Sequence, residues 1–151
     1  MKILIDADGC PVVDLTISIA KAFKLEVQIF CDTSHIIEKE GASTQVISKG
    51  NDAVDFVLVN KVAKGDIVIT QDYGLAAMVL SKQGHAVSQN GLVFHQDNID
   101  QLLFTRHMAK KIRNEGGRTK GPKKRDKEND EHFKEALTAL IEKLLSSFVK
   151  S

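Results

Sequence analysis

The sequence predicts an α/β fold, a three-layer α/β/α sandwich around a mostly parallel central sheet of about five strands with further C-terminal helices. Three observations carry this expectation. Short apolar runs rich in Val and Ile, at residues 1–5, 27–31 and 67–70, read as strands buried on both faces. Segments with apolar residues at helical spacing alternate with those runs, the pattern of βαβ units. The length, 151 residues, suits one domain, and neither an internal repeat nor a second core is visible.

Residues 1–5 form the first strand and lead into Asp6-Ala7-Asp8-Gly9-Cys10-Pro11. Pro11 stands where a first helical residue is favoured, and Val12, Leu15, Ile19 and Phe23 mark one apolar face, so a helix over 11–24 is expected. Residues 27–31 and 44–48 read as the second and third strands, with a polar connection around 35–43. Asn51 or Asp52 then caps a helix whose Val54, Phe56, Val57, Leu58, Val59, Val62 and Ala63 are apolar on most sides, and Gly65 ends it. Residues 67–70 read as a central parallel strand, 75–82 as a short helix ending near Gly84, and 85–88 as a fifth strand.

Asn90-Gly91 is a tight-turn signal ahead of Leu92-Val93-Phe94, which predicts an antiparallel edge hairpin. Asp97 or Asn98 caps the next helix, which carries Ile99, Leu102, Leu103 and Ile112 and breaks at Gly116-Gly117. Residues 118–127 have no apolar pattern and read as a loop. From about Asp130, the residues Phe133, Leu137, Leu140, Ile141, Leu144 and Phe148 mark an amphipathic helix. That helix must dock on the body or on a partner, and a homodimer through it is one way to bury its face. The chain thus divides into a core over about 1–104, a basic arm over about 105–127 and a C-terminal helix over about 130–149.

The net charge of +1 hides an asymmetry. Residues 106–127 hold ten Lys or Arg against two acids, a local balance of +8, while the rest carries eleven bases and eighteen acids, a balance of −7. An acidic body with a basic arm suits a phosphate-rich partner, and RNA is the expected one, held by Arg106, Lys110, Lys111, Arg113, Arg118, Lys120, Lys123, Lys124 and Arg125. The same run also reads as a solvated linker. Cys10 and Cys31 lack zinc-site spacing and are too few for a disulfide framework, so a reducing, cytoplasmic setting is expected. No apolar run approaches the ~20 residues that cross a bilayer, and no secretory leader is visible.

The acids recur at element ends. Asp6 and Asp72 each directly follow an apolar strand, at the carboxyl end where open α/β sheets bind ligands. Asp52 and Asp55 follow Gly50 at the start of a helix, where they also suit a cap and a first-turn position. Asp66 precedes its strand and so falls at the opposite end from Asp72. Two phosphoryl-transfer designs use such residues. In the first, Asp6, Asp52 or Asp55, and Asp72 hold Mg2+ or Mn2+, hard cations that prefer oxygen ligands, for hydrolysis by an activated water. In the second, the strand followed by Asp6-Ala7-Asp8-Gly9 is similar to the opening motif of haloacid-dehalogenase-type phosphatases, with Asp6 as nucleophile and Asp8 as acid/base. That design needs a Gly-Asp-x-x-x-Asp loop after a later strand, whereas Gly65-Asp66 comes before its strand.

The segments Ile5-Asp6-Ala7-Asp8-Gly9-Cys10-Pro11-Val12-Val13, Gly50-Asn51-Asp52-Ala53-Val54-Asp55, Gly65-Asp66-Ile67-Val68-Ile69-Thr70-Gln71-Asp72 and Gly121-Pro122 resemble the bacterial YaiI/YqxD family. Lys49-Gly50-Asn51-Asp52 and Thr70-Gln71-Asp72-Tyr73-Gly74-Leu75 are in turn similar to motifs of PIN-like nuclease domains of the NYN branch. The resemblance implies a PIN-like fold, with Asp6, Asp52 and Asp72 as metal ligands and Asp8 and Asp55 as further ligands or supporting acids. Gly74 stands where the NYN pattern has another Asp, so one carboxylate of that pattern is absent. The expected activity is a metal-dependent ribonuclease or related phosphodiesterase, with catalytic roles for Asp6, Asp8, Asp55 and Asp72. A catalytically idle RNA- or ribosome-binding module is the alternative, beside the small-molecule phosphatase.

Overall fold

The structure, a computed structural model, describes residues 1–48, 53–114 and 124–150, and for Ala53, Arg106, Arg113, Asn114, Phe148, Val149 and Lys150 the backbone alone. Among the described residues six strands form one sheet: β1 (Lys2–Asp6), β2 (Glu26–Asp32), β3 (Ser43–Ile47), β4 (Ile67–Ile69), β5 (His85–Val87) and β6 (Val93–Phe94). Their order is β3-β2-β1-β4-β5-β6. The first five run parallel, and β6 returns antiparallel to β5 through the turn at Asn90-Gly91, as the sequence predicted. The chain builds outward from β1 to β3 and then crosses back to β4, so β1 and β4 are the neighbours between which the order reverses.

Strand pleating sorts the side chains between two cores. Ile3, Ile5, Val27, Ile29, Cys31, Ile67 and Ile69 face one way, toward α1 (Val13–Ala22) and α5 (Lys127–Lys150). Leu4, Phe30, Val68 and Ala86 face the other, toward α2 (Ala53–Lys61), α3 (Tyr73–Ser81) and α4 (Gln96–Asn114). Burial on both faces is why β1 and β4 read as unbroken apolar runs rather than alternating ones. The result is the three-layer α/β/α architecture.

Several helix starts differ from expectation, each for a local reason. Helix α1 begins at Val13 with Val12 as its cap residue, so Pro11 lies ahead of the helix and Thr16 Oγ1 donates back to the Val12 carbonyl at 2.7 Å. Neither Asp97 nor Asn98 precedes α4. The preceding residue is His95, whose N–H donates to Asn98 Oδ1 at 3.0 Å, so Asn98 caps from inside the first turn. Helix α5 starts three residues earlier than Asp130, because Asp126 and Asn129 each accept the other's backbone N–H, at 3.1 and 3.0 Å respectively. The expected cap at Asn51 or Asp52, the break at Gly116-Gly117 and most of the loop after it lie outside the described residues.

The apolar face of α5 docks on its own body. Phe133, Leu137 and Ile141 have no solvent exposure, and Leu144 and Leu145 pack against the same cluster. Of the two ways to bury that face, the structure shows docking on the chain's own body for these residues. At the amino end of the sheet, Asp66 is buried and accepts from the Lys2 backbone N–H at 3.1 Å, from Lys2 Nζ at 2.5 Å and from the Ala63 N–H at 2.8 Å. It fastens β4 to β1 at the end away from Asp72.

The β5–β6 turn touches α5 closely. Gly91 has φ +89°, and a Cβ there would lie 2.6 Å from the His132 carbonyl oxygen. Gly91→Ala is therefore expected to cost about 1–2 kcal/mol through its left-handed backbone alone, and more through displacement of α5. A urea melt of the variant beside the wild type measures it; an unchanged midpoint would show that the turn relaxes without disturbing the helix.

Candidate functional site: an acidic crevice at the strand reversal

The carboxyl ends of β1, β2 and β4 open into one crevice of about 690 Å³, walled by Asp6, Asp8, Asp32, Asp55 and Asp72 together with Phe30, Cys31, Val54, Gln71, Tyr73, Leu102, Thr105 and Ala109. It lies at the point where strand order reverses, the place where open α/β sheets separate their loops and leave room for a ligand.

Each acid arrives by a different route. Asp6 is the last residue of β1, and its Oδ2 accepts from Thr70 Oγ1 at 2.8 Å. Thr70 Oγ1 in turn accepts the Asp72 N–H at 3.0 Å, so one hydroxyl at the end of β4 joins the two acids read first from the sequence. Asp72 precedes α3 and caps it, its Oδ1 accepting the Leu75 N–H at 3.1 Å. Asp8 is exposed in the turn after β1, which Gly9 completes at φ +66°. Asp55 reaches the crevice from the first turn of α2. Asp52, expected as a metal ligand, lies outside the described residues.

Two residues were not anticipated. Asp32 ends β2 and lines the crevice, with its Oδ1 also accepting the Ser34 N–H at 2.8 Å and the Ser34 hydroxyl. The rule that selected Asp6 and Asp72, an acid directly after a buried strand, would have found it. Thr70, read as a strand residue and quoted in the resembling segments without a role of its own, is the hydroxyl that orients Asp6.

The electrostatics mark Asp6 as the most constrained of the acids. Burial pushes its carboxyl above the ordinary value of 3.8, the Thr70 hydroxyl draws it down, and the negative charges of Asp72 and Asp8 push it up again. Several carboxylates around one partly buried group favour a cation among them. The donors are carboxylate and hydroxyl oxygens, the ligand set of Mg2+ or Mn2+. Among the described residues no group of three or more acidic, His or Cys side chains is placed to hold a metal ion, and Asp52 lies outside them.

The expected cations divide. Lys110, Lys111 and Lys124 are exposed, the first two on the stretch of α4 that borders the crevice through Thr105 and Ala109. Arg106 and Arg113 lie on the same helix. Arg125 is engaged inside the fold: its guanidinium donates to Asp130 Oδ1 at 2.9 and 2.6 Å, to Asn90 Oδ1 at 2.7 Å and to the Gln89 carbonyl at 2.9 Å. Gln89 N–H donates to Gln71 Oε1 at 2.9 Å, so this fork supports the crevice rim. Arg118, Lys120 and Lys123 lie outside the described residues. Cys31 is buried and Cys10 half-buried, and burial pushes the Cys10 thiol up, as for a small packed side chain.

The fold and crevice define a class, a parallel three-layer α/β protein with an acid-lined site at its strand reversal. The particular family follows from comparison: residues 4–143 match the Uncharacterized BCR, YaiI/YqxD family, and the chain belongs to it. A UPF0178 protein of Exiguobacterium sibiricum is 55% identical over 141 residues, which cover 93% of this chain and 96% of that one. UPF0178 proteins of Clostridium acetobutylicum and Natranaerobius thermophilus are 46% and 45% identical, covering 97% and 100% of their lengths. No solved structure matches the chain. Among the described residues no helix is long and apolar enough to cross a membrane.

Proposed function

We propose that this protein is a metal-dependent ribonuclease or related phosphodiesterase with a PIN-like arrangement of its acids. The observation that carries the reading is the convergence of Asp6, Asp8, Asp32, Asp55 and Asp72 on one crevice beside a cationic helix. Asp6 and Asp72 would hold Mg2+ or Mn2+, with Asp52, which lies outside the described residues, as the third ligand that the family resemblance implies. When bound, the cation supplies charge stabilisation to a phosphodiester being cut. Thr70 keeps the Asp6 carboxylate aimed into the crevice through its 2.8 Å hydrogen bond. Asp8, exposed at the mouth, takes the proton of the attacking water, and Asp55 shapes the opposite wall. Lys110 and Lys111 hold the phosphates of the strand.

The test is cleavage of an end-labelled RNA with Mn2+ or Mg2+ by wild type and Asp8→Asn. The wild type is expected to cut, with the variant slower by about a hundredfold, the scale of a lost general base. Binding without cleavage would replace the nuclease by a non-catalytic RNA-binding module, and turnover of an aryl phosphate would replace it by a phosphatase. Affinity for a single strand is expected to fall steeply with salt, with a log–log slope of about −0.7 for each phosphate contacted.

A further inference from the structure

Beside the crevice, and sharing Asp6, Asp8 and Gln71 with its wall, lies a recess of about 40 Å³. Cys10, Ile69, Thr70 and Gln89 complete its lining. A space of that size takes about one water molecule or one hydroxyl group, and no ring. Its walls bring two kinds of polar partner. Asp6 and Asp8 are carboxylates, which accept, whereas Gln71 is the one carboxamide among the described residues that line the crevice. Gln71 Oε1 accepts the Gln89 N–H at 2.9 Å, and a backbone N–H can meet only the oxygen of a carboxamide, so the orientation of the amide is set. Both protons of Nε2 are then open to a ligand, and among the described residues no acceptor holds them.

Gln89 is itself held. Its carbonyl accepts from Arg125 Nη2 at 2.9 Å, while the same guanidinium donates to Asn90 Oδ1 at 2.7 Å and to Asp130 Oδ1 at 2.9 and 2.6 Å. Arg125 thereby fastens the turn that carries Gln89 to the first turn of α5. The recess selects its occupant by size, charge and donors. An anion would meet Asp6 and Asp8 at close range, and an apolar group would leave the amide protons and both carboxylates unpaired. A hydroxyl is neutral, accepts from Gln71 and donates to Asp6 or Asp8. Within a strand of nucleic acid the group of that description is the 2′-hydroxyl of ribose. We infer that Gln71 is a specificity-determining residue that reads the ribose 2′-hydroxyl in this recess, and that Arg125 is a positioning residue that holds Gln71 through Gln89. The inference rests on the ribonuclease reading for its ligand and adds to it the contact that separates RNA from DNA. Arg125, expected from the sequence as a phosphate contact, acts here through Gln89 instead.

Three strands of equal length and charge test it: oligouridylate, its 2′-deoxy form, and its 2′-O-methyl form, which keeps the ribose pucker but overfills the recess. Fluorescence anisotropy of end-labelled strands measures binding, in EDTA and again with Ca2+ added. The wild type is expected to hold the ribose strand tightest. Gln71→Met keeps the length of the side chain and removes its amide, so it should lower that preference by about twofold to twelvefold and bind the other two strands like wild type. Arg125→Met should lower the preference in the same direction with the salt dependence unchanged. Equal affinity of the wild type for all three strands, or a preference that Gln71→Met keeps, would overturn the hydroxyl contact and leave the nuclease reading intact. An Arg125→Met variant that keeps the preference, or that binds all three strands more weakly with a log–log salt slope less steep by about 0.7, would overturn the positioning role. A wild type that binds no strand in either condition would overturn the ribonuclease reading, and this role with it. Gln71 is exposed, so Gln71→Met is expected to melt with the wild type, and it carries the test alone if Arg125→Met melts early.

Discussion

Replacing Asp6 by Asn is expected to stabilise the protein and, on the metal-dependent reading proposed above, to abolish binding of a divalent cation. Asn keeps an oxygen that accepts the Thr70 hydroxyl but removes a charge that burial disfavours and that Asp72 and Asp8 repel. Relief of such crowding is worth about 0.5–2 kcal/mol, and each kcal/mol is about 2–4 °C in Tm for a chain of this size. The pH dependence has a definite sign. The folded-state carboxyl titrates above its unfolded value of 3.8, so its contribution to stability is fully present below that pH and is lost as pH rises through the folded pKa. The advantage of Asp6→Asn should therefore be small near pH 4 and grow toward neutrality. A divalent cation should raise the Tm of the wild type, by about 2.7 kcal/mol in stability at a hundredfold excess over Kd, and leave the variant unmoved. Melting curves with and without Mn2+ at two pH values decide it. A wild type insensitive to Mn2+ with a variant no more stable would show that the acids of the crevice are neutralised by other means.

Phe133→Ala is expected to cost about 3–5 kcal/mol, the range for emptying a fully buried aromatic site. The ring is completely enclosed in the core between the sheet and the α1–α5 layer, and it follows directly on the His132 carbonyl that Gly91 approaches. Losing it should loosen α5 and the β5–β6 turn together, seen as faster amide exchange in both. Phe104→Ala, by contrast, removes an exposed ring and should change stability by less than about 0.5 kcal/mol. Urea midpoints for the pair separate the two roles of the same residue type. A Phe133→Ala variant as stable as wild type would mean that α5 contributes little to the fold.

The layers were legible in the sequence because burial leaves a local signature. Residues such as Ile67, Val68 and Ile69 are apolar without interruption since both faces of β4 are covered, and Asp72 stands out against them. Asp32 escaped because Thr33 and Ser34 follow it, and a polar run after Cys31 looks like the start of a connection rather than the end of a strand. Thr70 escaped because a β-branched residue at a strand end reads as packing, while its hydroxyl has a partner 64 positions away. Strand order and the side on which α5 docks are long-range properties that apolar periodicity does not encode. Helix starts shifted where side chains reached back, as Asn98 does to His95, an interaction that composition suggests without locating.

The closing of one sheet face by α5 orders events during synthesis. Ile3, Ile5, Ile67 and Ile69 share their core with Phe133, Leu137 and Ile141, residues made well after the strands they cover, whereas the helices of the opposite core come between and directly after the strands. At about 5–20 residues per second, the interval from Ile69 to Phe133 is roughly 3–13 s. During it the growing chain can assemble the layer that bears the crevice but must leave the other layer unfinished. A ribosome that stalls in that interval holds a polypeptide with its acids gathered and its back uncovered, a species fit for chaperones rather than for release.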